Sequence, residues 1–271
     1  MKQTFHAPGR LLMSRIRLSI IGTGGTGSQV ADGIASMECT LRALGHPGFA
    51  VTLYDPGVVR RANVGRQRFT DADIGQSKAQ LLAHRINLFF GVKWKAETRA
   101  AKPNELHDDI ILTCTDSAIF RAKVGIEHKG STGESLWLDF GNGRSRAQCV
   151  LGHLAGKPKV ALRLPNVYDL YPELAGMEAV DRDAPSCSME EAIARQEWPV
   201  NRQVATAGVT LLWNLLRKGQ LTDHGCQIDT DTLSMTPLPI DPDGWAFFGY
   251  QQPATIAPGA ARRKTNVRRA A

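Results

Sequence analysis

Residues 18–27 read Leu18-Ser-Ile-Ile-Gly-Thr-Gly-Gly-Thr-Gly27. Four apolar or small residues run straight into a glycine cluster. Downstream, Val30, Ile34, Met37, Leu41 and Leu44 recur every three or four positions, which is the spacing of one helix face. A strand, a glycine turn and a helix in that order give meaning to a Gly-x-Gly-x-x-Gly pattern, here Gly22-Thr-Gly24-Gly25-Thr-Gly27. Gly22 allows the tight turn, Gly24 and Gly25 let a phosphate approach the backbone, and Gly27 lets the helix pack on the sheet. The unpaired N–H groups at the helix start then face an anion. The stretch therefore predicts a nucleotide site without specifying the nucleotide.

The flanking segments extend this unit. Gly45-His-Pro-Gly48 ends the helix, and Ala50–Tyr54 reads as a second strand closed by Asp55-Pro-Gly57. An acid at the end of the second strand can hydrogen-bond a ribose, or can simply form the turn. Asp55 lies beyond the ~20-residue spacing of the NAD fingerprint, so the first helix is longer than in the simple NAD unit. Lys78 falls in the first turn of a helix carrying Ala79, Leu82, Ile86 and Phe89. A cation there opposes the helix dipole, as expected if it answers a phosphate; the alternative is a solvated lysine. Val92–Thr98 alternates like a strand. Asp109–Thr115 is a continuous apolar run, the mark of a parallel strand buried on both faces. Asp116 follows on the same rim as the glycine loop, either as a ligand group or as a helix cap.

Trp137–Phe140 and Ala147–Leu151 read as two more strands joined through Gly141-Asn-Gly143. Residues 153–184 have few periodic signals and read as a long loop or lid. Val200–Leu216 has a sustained helical period, and Cys226–Thr230 and Trp245–Tyr250 read as late strands. Residues 1–15 read as an irregular lead-in. The fold class is α/β: a Rossmann-like, mostly parallel sheet flanked by helices, with a C-terminal extension of strands and a long helix. We expect one domain over 1–252, its nucleotide-binding half at about 17–145, followed by a disordered basic tail at 253–271.

Composition constrains function. The 271 residues are 42% hydrophobic and 22% charged, as in an ordinary globular protein. No apolar run approaches the ~20 residues of a membrane span, and the N-terminus lacks a signal peptide's apolar core, so a cytoplasmic protein is expected. Of the net charge of +7, Arg262, Arg263, Lys264, Arg268 and Arg269 supply five in the tail, which argues against nucleic acid as a partner of the folded body. The five cysteines are widely spaced with no Cys-x-x-Cys pair, which argues against structural zinc. Pro185-Ser-Cys187-Ser188 is followed by Glu191. Ser188 and Glu191 form a capping box that places Cys187 just before a helix start, where a thiol is acidified. Cys187 is a candidate nucleophile or a structural loop cysteine; Cys114 and Cys149 sit in strand patterns.

Taken in order, these motifs resemble the ThiF/HesA/MoeB family, the ubiquitin-activating type of adenylating enzyme. The resemblance rests on Gly22–Gly27, Asp55, Asn63-Val-Gly-Arg66-Gln67, Gly75-Gln-Ser-Lys78 and Cys114-Thr-Asp116, and within the family it is greatest to the ThiF-type protein of the PRTRC system. It implies ATP and Mg²⁺ as cofactors. It also implies a small ubiquitin-like protein with a C-terminal glycine as partner, a homodimer, and adenylation of that C-terminal carboxylate, with a possible thioester on Cys187. In that scheme Asp55 holds the ribose, Asn63, Arg66, Gln67 and Lys78 line the triphosphate, and Asp116 binds the metal. Gly57 stands where the family usually has a second acid, zinc-binding cysteine pairs are absent, and Arg10 and Arg15 are candidates for the arginine that dimeric relatives lend across the interface. An NAD(P)-dependent oxidoreductase, a non-catalytic nucleotide-binding scaffold and an enzyme adenylating a tRNA-borne carboxylate stand as alternatives.

Overall fold

A computed structural model of the chain describes residues 1–176 and 196–252. The chain runs β1 (Phe5–His6), α1 (Gly9–Met13), β2 (Ile16–Ile21), α2 (Gly25–Ala43), β3 (Phe49–Tyr54), α3 (Lys78–Phe90), β4 (Lys95–Glu97) and β5 (Ile110–Thr113). It continues through α4 (Ala118–His128), β6 (Leu136–Asn142), β7 (Arg146–His153), α5 (Val167–Leu170), α6 (Trp198–Lys218), β8 (Gln220–Leu221), β9 (Asp223–Asp229), β10 (Ser234–Pro239) and α7 (Pro242–Trp245).

Eight strands form one sheet in the order β10-β9-β7-β6-β5-β2-β3-β4. From β6 to β4 all neighbours are parallel, and from β6 outward β7, β9 and β10 pair antiparallel. The parallel strands are the apolar runs: Ile110–Thr113 is buried at every position, as a strand covered on both faces must be. Strand order steps one way from β2 to β4 and the other way from β5 to β6. Right-handed crossovers therefore place α2 and α3 on one face and α4 on the other. The order reverses between β2 and β5, which opens a crevice at their carboxyl ends.

The α2 face is apolar as expected from Val30 to Leu41, but the stripe stops there. Leu44 caps the helix and is exposed. On the same helix the buried Glu38 accepts hydrogen bonds from the Phe49 N–H at 3.1 Å and from Trp94 Nε1 at 2.9 Å, so a core acid fixes the start of β3. Helix α6 packs along α2 and closes at Gly219, which takes the left-handed conformation of a C-cap.

Several expectations are corrected. Trp245–Tyr250 is not a strand. Asp241 caps α7 by accepting the Asp243 N–H, Pro242 occupies the first turn, and a 3₁₀ turn follows at Ala246–Phe248. The lead-in is not wholly irregular, since Phe5 pairs with Leu221 as a short antiparallel bridge and Gly9–Met13 forms a helix. Only Lys95–Glu97 of the 92–98 segment joins the sheet. The segment read as a long loop contains α5 and a 3₁₀ turn at Pro172–Gly176. Cys187, Ser188, Glu191 and the basic tail lie outside the described residues. Among the described residues no helix is long and apolar enough to cross a membrane.

Candidate nucleotide-binding site

The glycine loop turns out of β2 as anticipated. Gly22 has φ +87°, and a side chain there would also press within 3.0 Å of the Cys114 carbonyl oxygen. A Cβ at Gly27 would overlap the Gly22 carbonyl oxygen, so the helix rests directly on the turn. Gly24 is the N-cap of α2 and Gly25 its first residue. Thr23, fully buried, ties the loop to the next strand: its N–H and hydroxyl donate to one Asp55 oxygen at 2.7 and 2.9 Å. The other Asp55 oxygen accepts the Gly57 N–H at 2.7 Å. Asp55 is thus the brace of the glycine loop.

Residues 58–77 cross the mouth of this loop with little regular structure. Arg68 Nη2 fastens the segment to α2 through Asp32 at 2.7 Å, and Val58 bridges Ser77. Asn63 Oδ1 accepts the Arg60 N–H and closes a 3₁₀ turn. Arg66 and Gln67 point inward. Among the described residues, Arg66 Nε and Gln67 Oε1 are buried without a hydrogen-bond partner. Burial lowers the pKa of the Arg66 guanidinium. Lys78 is the first residue of α3, as the sequence spacing implied, and its backbone N–H donates to the Gly57 carbonyl at 3.0 Å. Burial pushes its ammonium below the ordinary lysine value. Asp55 and Asp116 pull it upward, and Arg60 adds to the lowering. Among the described residues, no acid lies within ion-pair distance of Lys78. A buried donor and an ammonium lacking a counter-ion suit a polyanion, because unpaired buried charge is costly until an opposite charge arrives.

Asp116 stands exposed at the carboxyl end of β5, across the crevice from the glycine loop. Its turn is set from below by Arg121. That side chain pairs with Asp139 at 2.7 Å and donates to the Thr115 and Phe140 carbonyls at 2.6 and 2.7 Å. Thr113 also donates to Asp139 and accepts from Trp137 Nε1, so the buried ion pair sits inside a wider hydrogen-bond network. Ser117 caps α4 by accepting the Phe120 N–H at 3.1 Å. Among the described residues no group of three or more acids, histidines or cysteines could hold a metal on its own. A magnesium ion here would rest on Asp116 and on phosphate oxygens, which suits its preference for few protein carboxylates.

One part of the site was not foreseen. Thr26 donates to Asn201 Oδ1 at 2.9 Å, and Asn142 Nδ2 donates to both Thr26 and Asn201. Gln196 Nε2 donates to Asn142 Oδ1 at 3.2 Å, and Gln196 Oε1 accepts Arg66 Nη2 at 3.0 Å. Five polar side chains thereby link α2, the end of β6, the start of α6 and Arg66. The signal was in the sequence. Asn201 interrupts the apolar face formed by Val200, Val204, Ala205 and Gly208 and is itself only 3% exposed. A polar residue on a buried face implies a partner. Asn142 read only as a joint between glycines. Arg10 and Arg15 lie elsewhere. Arg10 pairs with Asp109 and Arg15 donates to the Phe49 carbonyl, both at the amino ends of strands and opposite the rim.

The switch-point crevice and the glycine loop define a Rossmann-like fold whose rim carries a candidate nucleotide site. The model of the ThiF family matches residues 1–231, and the chain belongs to that family. Among solved structures it is similar to E. coli MccB with AMPCPP and MccA, at 15% identity and a TM-score of 0.56, over 83% of this chain and 64% of that one. E. coli MccB with ATP is similar at 15% identity and a TM-score of 0.55, over 85% and 65% of the two chains. PaaA is similar at 14% identity and a TM-score of 0.57, again over 85% and 65%. The chain thus spans just under two thirds of the length of these relatives. No curated protein matches it by sequence.

Proposed function

We propose that this protein adenylates the C-terminal carboxylate of a small ubiquitin-like protein ending in glycine, using ATP. The observation that carries the reading is a pair of cations with no counter-ion of their own among the described residues: Arg66, whose buried Nε has no acceptor there and whose Nη2 joins the network that holds Thr26 of α2, and the half-buried Lys78, which feels Asp55 and Asp116 but pairs with neither. An NAD(P) reading explains the glycines but gives this pair of cations no task. Family membership supports the reading, and so do structures of MccB with ATP and with AMPCPP and MccA.

In the proposed reaction the substrate carboxylate attacks the α-phosphorus of ATP. A carboxylate–phosphorus bond forms, the bond to the β-phosphate oxygen breaks, and pyrophosphate departs. The carboxylate is the nucleophile, so the protein need not supply one. Its contribution is orientation and charge neutralisation in a cleft shielded from water. Arg66 and Lys78 would neutralise the phosphates, Asn63 and Gln67 would add polar contacts, and the α2 N-terminus would face the phosphate chain. Asp55 would meet the ribose with the lone pairs left by its contacts to Thr23 and Gly57. Asp116 would hold Mg²⁺, which when bound supplies further charge neutralisation at the phosphates. A homodimer, membership of the PRTRC subtype, transfer of the acyl group to Cys187 and a single domain over 1–252 belong to the same proposal.

The test is thermal unfolding with Mg·ATP and, separately, with NAD(H), on wild type and Asp116→Ala. Mg·ATP at 100 times its dissociation constant should stabilise the wild type by about 2.7 kcal/mol. The variant should lose the metal-dependent part. Pyrophosphate–ATP exchange that requires a small protein with a C-terminal glycine then establishes adenylation. Stabilisation by NAD(H) instead of Mg·ATP overturns the reading.

A further inference from the structure

Cys149 and Cys226 are 77 positions apart in the chain and play no part in the site described above. The sheet brings them together. They are register partners on the adjacent antiparallel strands β7 and β9. Both are free thiols, at 1% and 8% exposure, and their sulfurs lie 3.6 Å apart. Directly opposed residues on antiparallel strands have Cα atoms ~4.5–5.5 Å apart, inside the ~4.4–6.8 Å range that a disulfide spans. Side-chain rotation is therefore enough to bring the sulfurs to bonding distance, with the backbone register kept. Neither Cys39 nor Cys114 has this arrangement. Cys39 Sγ faces the Phe90 carbonyl at 3.7 Å, and Cys114 is held protonated by burial.

We propose that Cys149 and Cys226 form an oxidisable dithiol, which a peroxide converts to a cross-strand disulfide between β7 and β9. Cys226 is the sulfur oxidised first. It is the less covered of the two, and its register partner on the far side is Pro237 of the exposed edge strand β10. The two thiols share a hydrogen bond, which holds the Cys226 thiol below its ordinary pKa and, together with burial, the Cys149 thiol above. The Cys226 thiolate attacks one peroxide oxygen, the O–O bond breaks, and hydroxide leaves and takes up the thiol's proton as water. The resulting sulfenic acid is attacked by Cys149 sulfur. The S–S bond forms, the S–O bond breaks, and the Cys149 proton leaves with the hydroxyl as a second water. Two thiols are oxidised by two electrons, and one peroxide is reduced.

The bond would close a loop that contains the whole of α6, and with it Asn201 of the nucleotide site. Its effect on stability is largest in the unfolded chain, which loses freedom when a long loop is closed.

The test uses the full-length reduced chain in native buffer, treated with hydrogen peroxide, then alkylated and digested without reductant. Mass spectrometry should find a peptide joining Cys149 to Cys226. Dithiothreitol should release it, and the oxidised protein should melt at a higher temperature than the reduced one. In Cys149→Ser the intermediate has no resolving thiol, so dimedone should label Cys226. Three results overturn the proposal: a cross-link that forms only in denaturant, Cys226 carried to sulfinic acid in the wild type without linking, or both thiols unmodified at peroxide concentrations that oxidise Cys39.

Discussion

At the scale of single residues, the site is held in readiness by groups whose electrostatic needs the fold leaves unmet. Lys78 opens α3, against the helix dipole, and burial lowers its pKa. Its removal should therefore separate folding from binding. We expect Lys78→Met to leave the melting temperature of the ligand-free protein unchanged or raised. The same variant should weaken ATP binding by about ten- to a hundredfold, because a hydrogen bond to a charged group contributes about 1.5–3 kcal/mol. Titration of ATP alongside thermal unfolding checks both halves; loss of stability without loss of affinity contradicts the phosphate role. Asn201 makes the opposite case. Its carbonyl oxygen accepts from Thr26 and Asn142 inside a buried network. Asn201→Ala should cost about 1–3 kcal/mol in denaturant unfolding, since it leaves those donors without their shared acceptor. It should also loosen Arg66, whose partner Gln196 is anchored by the same network.

Elements show where the sequence could be read and where it could not. The strand–glycine–helix unit, Asp55, the start of α3 and the β5–Asp116 turn were legible because each follows from local periodicity or turn chemistry. The β1–β8 pair was not, since two residues near the N-terminus and two just after α6 carry no period and are fixed only by tertiary contact. β10 was missed because Pro237 and Pro239 argue against a strand, yet an edge strand tolerates them. The buried Arg121–Asp139 pair was invisible for a similar reason, as charged residues in an α4 pattern read as solvated until β6 is placed beside them. Helix α6 illustrates how packing overrides propensity. Gly208 lies mid-helix, where Gly→Ala would ordinarily gain about 1 kcal/mol. A Cβ there would overlap the Phe140 ring. Overpacking costs about 1–3 kcal/mol, so the clash should win and Gly208→Ala should lower stability in urea titration. A stabilised variant would mean that α6 can shift away from β6.

Across the whole molecule, the antiparallel half of the sheet makes stability depend on pH through two histidines that take no part in the proposed chemistry. His153, at the end of β7, accepts the Leu164 N–H at Nδ1 and packs against Phe5 edge-on. His224, on β9, lies between the Leu151 carbonyl and Trp245 Nε1. Burial pushes both down to about 4, with Arg163 adding to the effect at His153. In the unfolded chain each takes up its proton near 6.5, whereas the folded rings stay neutral until about pH 4. Between those values the unfolded state binds more protons, so stability falls as pH falls. The contribution is fully present above about 6.5 and gone below about 4. From pH 7 to pH 5 each ring should remove about 2 kcal/mol, which is large beside a total of roughly 5–15 kcal/mol. Denaturant unfolding of wild type, His153→Gln and His224→Gln at both pH values gives the test. Each variant should start less stable, yet lose about 2 kcal/mol less than wild type on acidification. If all three lose the same amount, the carboxylates carry the pH dependence and the two rings are already solvated in the folded protein.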